Sequence, residues 1–146
     1  MRYLSFLFLI AITIAACGSS DQAPPALLHY VAAQEALASD DLNQARQALQ
    51  DLVQSASPTL KPLAEKAASA ADIAAVRVAF KPLSEQVRKG QIPEGYVVAY
   101  CPMADGDKGA HWVQKDQPQI ANPYFGASML RCGVFVSAEL NVEAKE

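Results

Sequence analysis

The distribution of alanine and glycine along the chain is the sequence feature that most constrains its fold. Alanine is frequent from the end of the N-terminal apolar run to about residue 90, whereas six of the seven glycines fall between Gly90 and Gly133. Because alanine favours helix and glycine favours turns, this change predicts a mainly α fold. We expect an up-down bundle of about four helices over residues 26–90, followed by a small β-containing Cys/Met segment over residues 91–138.

Length and charge narrow the class of protein further. A chain of 146 residues is long enough for one domain with one core, and its formal net charge of −3 excludes a strongly basic nucleic-acid-binding protein. The hydrophobic fraction of 51% is too high for a disordered chain. Charged residues recur throughout the chain after residue 16, which excludes a polytopic membrane protein. We therefore expect a single domain at residues 26–138, with a polar tail at residues 139–146.

The N-terminus has the pattern of an export signal. Residues 1–16 combine one basic residue with a short apolar run that ends in small residues. The tetrad Ile14-Ala15-Ala16-Cys17 resembles a bacterial lipobox, in which cleavage precedes the cysteine and acyl chains such as palmitate are attached to it. An uncleaved anchor or an ordinary secretory signal is the alternative. The resemblance implies a signal peptide at residues 1–16 and a lipidated Cys17 with a tether at residues 17–25.

The lipobox also predicts a location. Multiple acyl chains hold a protein firmly to a bilayer, so the domain is expected on the periplasmic side of the bacterial cell envelope. By resemblance to lipoprotein sorting, Gly18 after the cysteine favours the outer membrane.

Apolar residues recur at helical spacing in four segments of the first half. The segments are residues 27–37, 42–56, 60–71 and 73–87. Asp40 or Asp41 is the candidate N-cap of the second helix and Asp72 that of the fourth, with Gly90 as the candidate C′ residue of the fourth. Pro82 falls inside the fourth pattern, so we expect one kinked helix there.

The last third favours strands and turns. Tyr96–Cys101 and Cys132–Ala138 are rich in β-branched and aromatic residues and predict strands, and His111–Gln114 is a candidate third strand. Turns are expected at residues 105–107 and 122–123, and one helical turn at residues 126–131.

Sulfur-bearing side chains cluster in this last third. Two short pairs stand there, Cys101 with Met103 and Met129 with Cys132. Thiolate and thioether sulfur are soft ligands that select Cu(I) over hard cations, so the two pairs together predict one metal site. His111 is a candidate additional ligand, and Trp112 a candidate cation–π partner for the ion.

The same cysteines support a second interpretation. Two cysteines that remain in an exported chain after lipidation usually form a disulfide, which would stabilise the fold by roughly 3 to 4 kcal/mol. An oxidised pair Cys101–Cys132 cannot supply thiolates, and the methionines would then fill the core. A catalytic thiol is disfavoured because His111 is the only nearby histidine and no C-x-x-C motif is present. We therefore expect no enzyme.

The segments CPMADG, HWVQK and NPYFGASMLRCG resemble the signature of an uncharacterised family of bacterial exported domains. Its members occur as lipoproteins and as extensions of copper/silver efflux adaptors. DDLNQARQAL and DIAAVRVAFKPLSEQV also fit, so the resemblance covers nearly all of the mature chain. It implies a helical domain closed by a Cys/Met segment, with a role in copper or heavy-metal handling. The matching positions are Cys101, Met103, Trp112, Asn122, Tyr124, Met129 and Cys132. His111 departs from the pattern, where an aromatic residue is expected.

Two hypotheses follow. In the favoured one, the protein is an envelope lipoprotein that binds a soft metal ion, most simply Cu(I), through Cys101, Met103, Met129 and Cys132. In the alternative, a disulfide between the two cysteines closes a helical interaction module that docks on an efflux adaptor or another envelope protein without metal.

Overall fold

The computed structural model describes residues 23–136. The predicted signal peptide at residues 1–16, the lipidated Cys17, the tether up to Gln22 and the polar tail at residues 139–146 lie outside this range. Four helices come first: α1 (Pro25–Ala38), α2 (Leu42–Ser55), α3 (Lys61–Ala68) and α4 (Ile73–Val87). No helix among residues 23–136 combines the length and hydropathy needed to cross a bilayer.

The helix starts follow the predicted capping chemistry. Asp41 accepts a hydrogen bond from the backbone N–H of Gln44 at 2.9 Å, and Asp72 accepts one from that of Ala75 at 2.8 Å. Pro82 lies within α4, which continues through it as a single helix, as predicted, while the kink at Pro82 stays a prediction. The prediction for Gly90 was wrong. Arg88 is the C-cap of α4 and has right-handed backbone, so Gly90 lies two positions beyond the cap. The φ of Gly90 is not positive, and its N–H bonds the carbonyl of Val87 in a further turn.

The four helices share one apolar core. Large side chains from three helices are fully buried, and the alanines of α3 lie against them, which keeps the helices close. Tyr30 of α1 stacks on Phe80 of α4 with ring centroids 5.1 Å apart. Consecutive helices are in contact, α1 with α2, α2 with α3 and α3 with α4, so the predicted up-down arrangement is confirmed.

A three-stranded antiparallel sheet follows, with the strand order β2-β1-β3. Its strands are β1 (Tyr96–Cys101), β2 (Ala110–Lys115) and β3 (Val134–Phe135). The predicted strand at Cys132–Ala138 is wrong at its start. The N–H of Cys132 bonds the carbonyl of Met129 and its own carbonyl accepts from Asn122, so neither group is available to a strand ladder.

The sheet meets the bundle along the outer edge of β2. The N–H of Val113 donates to the Tyr30 hydroxyl at 3.2 Å, and that hydroxyl also bonds Ser84 at 2.8 Å. The N–H of His111 donates to Glu85 at 3.3 Å, and its carbonyl accepts from Tyr124 at 2.6 Å. Side chains therefore bond the backbone N–H and carbonyl groups on the outer edge of β2. Unpaired groups on an edge strand could otherwise pair with another chain.

The connections between the strands contain turns. Asp105 and Gly106, inside the turn Ala104–Asp107, have left-handed backbone, as does Asp107. A 3₁₀ turn at Gly126–Ser128 occupies the first half of the predicted helical turn. The segment between β2 and β3, residues 116–133, forms a long loop that folds back over the sheet and is called the covering loop below.

Candidate functional site at the cysteine pair

The register of β1 and β2 sorts the candidate residues onto two faces of the sheet. Residues directly opposite each other in an antiparallel pair project to the same face, and the face alternates along each strand. Cys101 pairs with Ala110 and Ala99 with Trp112, whereas Tyr100 pairs with His111. Cys101 and Trp112 therefore share one face, and His111 lies on the other.

The face that carries Cys101 has a small core of its own, separate from that of the helices. Trp112 is fully buried there, together with Ala99 and Ala104. The indole N–H of Trp112 donates to Gln114 Oε1 at 3.0 Å. The same oxygen accepts from the N–H of Ala121 at 3.0 Å, which attaches the covering loop to the sheet.

Asn122 fixes the covering loop at its centre. The residue is fully buried, and its Nδ2 donates to the carbonyl of Cys132 at 2.8 Å. Its Oδ1 accepts from the N–H of Tyr124 at 2.8 Å, which closes the predicted Asn-Pro turn. Asn122 thus positions Cys132. This residue is one of the positions that match the resembled family, and in the structure its role is to hold the loop.

The two cysteines meet at the margin of this core. Their Sγ atoms lie 2.8 Å apart, and both residues are free thiols. Cys101 is fully buried, whereas Cys132 is half-buried. The hydrogen bond with Cys101 raises the pKa of the Cys132 thiol, and burial acts in the same direction. Because a raised pKa favours the protonated form, Cys132 is held as a thiol and not as the more nucleophilic thiolate.

The methionines are not drawn into this arrangement. Met103 projects to solvent with 47% of its surface exposed, and Met129 is half-buried after the 3₁₀ turn. Neither belongs to the apolar cluster around Cys101 and Trp112. The structure therefore brings together the two cysteines of the predicted ligand set and leaves the two thioethers outside the cluster.

His111 has other partners on the opposite face. Its Nδ1 lies 3.0 Å from Glu85 Oε1, and its ring packs against Tyr100 with centroids 4.6 Å apart. Burial alone would raise the pKa of Glu85, but hydrogen bonds from His111 and Arg88 lower it to about 2. His111 therefore belongs to a hydrogen-bonded network with Glu85 of α4 and is not placed to complete a site at the cysteines. Across residues 23–136, no three His, Cys, Asp or Glu side chains gather as a metal-ligand group.

One contact that fixes the covering loop was not predicted from the sequence. Arg77 of α4 donates through Nε to the carbonyl of Pro123 at 2.8 Å and forms an ion pair with Asp40. The other oxygen of Asp40 accepts from the N–H of Ala127 at 2.8 Å. That backbone hydrogen bond, with Arg77, lowers the pKa of Asp40. The available signal was the pair Asp40-Asp41, because only one of the two can cap α2.

A groove of about 330 Å³ runs between α4 and the covering loop. Val78 on its α4 side has 71% of its surface exposed, and Phe125 and Ser128 line the loop side. Lys81 and Asp105 form an ion pair of 2.6 Å across its rim. The groove thus presents apolar surface beside a charge pair, a composition suited to contact with another protein.

No protein-family model, no curated protein and no solved structure matches this chain.

Proposed function

We propose that this chain is a lipid-anchored interaction module of the bacterial cell envelope, closed by a disulfide between Cys101 and Cys132. The observation that carries the proposal is the placement of the two sulfur atoms 2.8 Å apart at the margin of an apolar cluster. Oxidation joins the two sulfur atoms and passes two electrons and two protons to a disulfide-bearing oxidant of the envelope. Cys17 supplies the anchor, and the domain presents its surface to a partner such as an efflux adaptor.

The surroundings of the pair favour a neutral bridge over a bound ion. A thiolate at Cys101 would place a charge among fully buried apolar residues, which costs free energy unless a cation compensates it. Two sulfur atoms on a tetrahedral ion at about 2.3 Å each lie about 3.8 Å apart. The pair would have to open by about 1 Å to reach that separation, and a bridge needs the atoms to approach by a similar distance, so the burial of Cys101 is what favours the bridge.

The groove between α4 and the covering loop supports the docking part of the proposal. Its loop side is held by Arg77, Asn122 and the cysteine pair, so the shape of the groove depends on contacts of three different kinds. Val78, exposed on the other side, is the apolar residue that a partner would cover. A binding surface that is rigid before contact loses less conformational entropy on binding.

Thiol counting with metal analysis on one sample tests the proposal. The protein is isolated from membranes without reductant, and its metal content is measured on part of the sample. The rest is unfolded in the presence of an alkylating agent, and its intact mass is measured by mass spectrometry. We expect no alkylation at Cys101 or Cys132 and no stoichiometric metal. Full alkylation after added reductant is the matched control. Alkylation of both Cys101 and Cys132 in the untreated sample would contradict the disulfide.

Soft-metal binding is the second candidate, because both cysteines are free in the structure and Met103 lies exposed two residues from Cys101. Reduced protein is titrated with Cu(I) against a competing chelator, next to a Met103→Ala/Met129→Ala variant. If the methionines bind the ion, the variant holds copper more weakly. Equally weak binding by both proteins would exclude this candidate, and tight, equal binding would assign the ion to the cysteines alone.

A further inference from the structure

A second cavity, of about 350 Å³, opens at one end of the helical bundle. It is formed by the start of α1, the connection between α2 and α3, and the segment after α4. Apolar side chains from all three parts line it, namely Leu27, Leu60, Val87 and Ile92. Ser57, Thr59, Gln86 and Gln91 add polar groups. The cavity therefore combines an apolar lining with polar groups.

Positive charge stands beside this lining. Lys89 lines the cavity, and Lys61 directly follows its residue Leu60 at the first position of α3. Both lysines are exposed, and neither forms an ion pair with another residue in the range 23–136. No acidic side chain is among the described residues that line the cavity. A ligand with a negative group and an apolar body would match this composition.

The chain enters the domain at the same cavity. Pro24 lines it, and the neighbouring Ala23 is the first described residue and is buried in the helical core. Cys17 precedes Pro24 by seven residues, which span at most about 24 Å when fully extended. A lipid on Cys17 would thus keep the mouth of the cavity close to the bilayer surface.

We propose that this cavity and the two lysines dock on anionic phospholipid of the bilayer that holds the anchor. The ammonium groups of Lys61 and Lys89 pair with the lipid phosphates, and the apolar lining takes up the glycerol region below them. Each lysine near an anionic surface strengthens docking about fivefold, so the pair contributes about 30-fold. The tether makes this contact intramolecular, so even weak affinity populates it. The inference rests on the proposed lipid anchor at Cys17.

Hydrogen exchange of the full, lipidated protein tests the contact. The protein is reconstituted into vesicles of phosphatidylcholine alone and into vesicles that also contain phosphatidylglycerol. In the anionic vesicles we expect slower exchange for peptides that cover residues 57–61 and 86–92, with the rest of the domain unchanged. A Lys61→Gln/Lys89→Gln variant should lose most of this difference. Lys108→Glu is the matched control, because it makes the same change of two charge units at an exposed lysine that does not line the cavity.

The premise and the inference fail in different ways. An intact mass without acyl groups on Cys17 would remove the anchor and with it the reason for docking. A lipidated protein that exchanges equally in both kinds of vesicle would refute the docking surface alone. Equal loss of protection in the Lys108→Glu control would also refute it, because general charge attraction would then account for the effect. Thermal melts of each variant establish that it is folded.

Discussion

Reduction of the proposed disulfide between Cys101 and Cys132 is the perturbation with the largest expected effect on this domain. The two cysteines are 31 positions apart, so the bridge removes the freedom of a loop of that length from the unfolded chain. In the chain-entropy model this is worth about 3.5 kcal/mol at 25 °C. The unfolding entropy of a domain of this size is about 0.24 kcal/mol/K near its midpoint, so the reduced protein should melt about 15 °C lower.

Melts followed by far-ultraviolet circular dichroism, with and without reductant, measure this difference. Trp112 is the only tryptophan of the chain and lies under the covering loop, so its fluorescence reports the opening of that loop separately. The Cys101→Ala/Cys132→Ala variant is the control: it should melt near the reduced wild type and ignore reductant. Because Cys101 is fully buried, its replacement by alanine also loses packing, which lowers the free energy of unfolding by about 1 kcal/mol more.

One result would refute the reasoning. If oxidised and reduced protein melt within about 2 °C of each other while mass spectrometry shows the bridge formed and broken, the covering loop is already ordered in the unfolded reference or the bridge strains the fold. In either case the disulfide is not what closes the module. Unchanged Trp112 fluorescence in the reduced state would confirm that the loop stays in place without it.

Three further substitutions test other contacts. Tyr30→Phe removes a fully buried hydroxyl that bonds both α4 and the edge of β2, so we expect a loss of about 2 to 3 kcal/mol in urea unfolding. Tyr100→Phe is its control, since that hydroxyl makes no hydrogen bond within the described chain, and an equal loss would contradict the assignment. Gly133→Ala should cost at least about 2 kcal/mol, because φ is +139° and the new Cβ would lie 2.9 Å from a backbone oxygen; a wild-type melting temperature would exclude this strain. Glu85→Gln should destabilise by about 1 to 2 kcal/mol at neutral pH once solvent screening is allowed for. Because the folded pKa of about 2 lies below the ordinary 4.5, that difference should vanish as pH falls from 4.5 to 2, and a constant difference would contradict the ion pair.

The helices could be predicted because their signals are local. Spacing at three and four residues marks a buried face, and an aspartate precedes the second and fourth patterns, where Asp41 and Asp72 cap α2 and α4. Gly90 misled for the same reason. A glycine after a helix favours a left-handed end, but the N–H of Arg88 already bonds Ser84 and the chain continues in right-handed conformation.

The faces of the sheet could not be predicted, because they depend on register. The connection between β1 and β2 contains left-handed backbone at Asp105, Gly106 and Asp107, and this turn sets the pairing of Cys101 with Ala110. A slip of one residue would move His111 to the face of the cysteines. Nothing in residue type alone distinguishes the two registers, and so the sequence grouped His111 with the sulfur atoms that the fold places on the other side.

Contacts other than the cysteine pair hold the covering loop in place. For this reason the sequence could not decide between two free thiols and a disulfide. Asn122 holds the backbone of Cys132, and Arg77 holds the carbonyl of the next residue, Pro123. Asp40 binds the turn beyond it. These contacts bring the two sulfur atoms within 2.8 Å of each other although no covalent bond joins them. The proposed bridge would therefore act on the unfolded chain and on the opening of the loop, and we expect the redox state of the two cysteines to set how firmly the groove beside α4 is held.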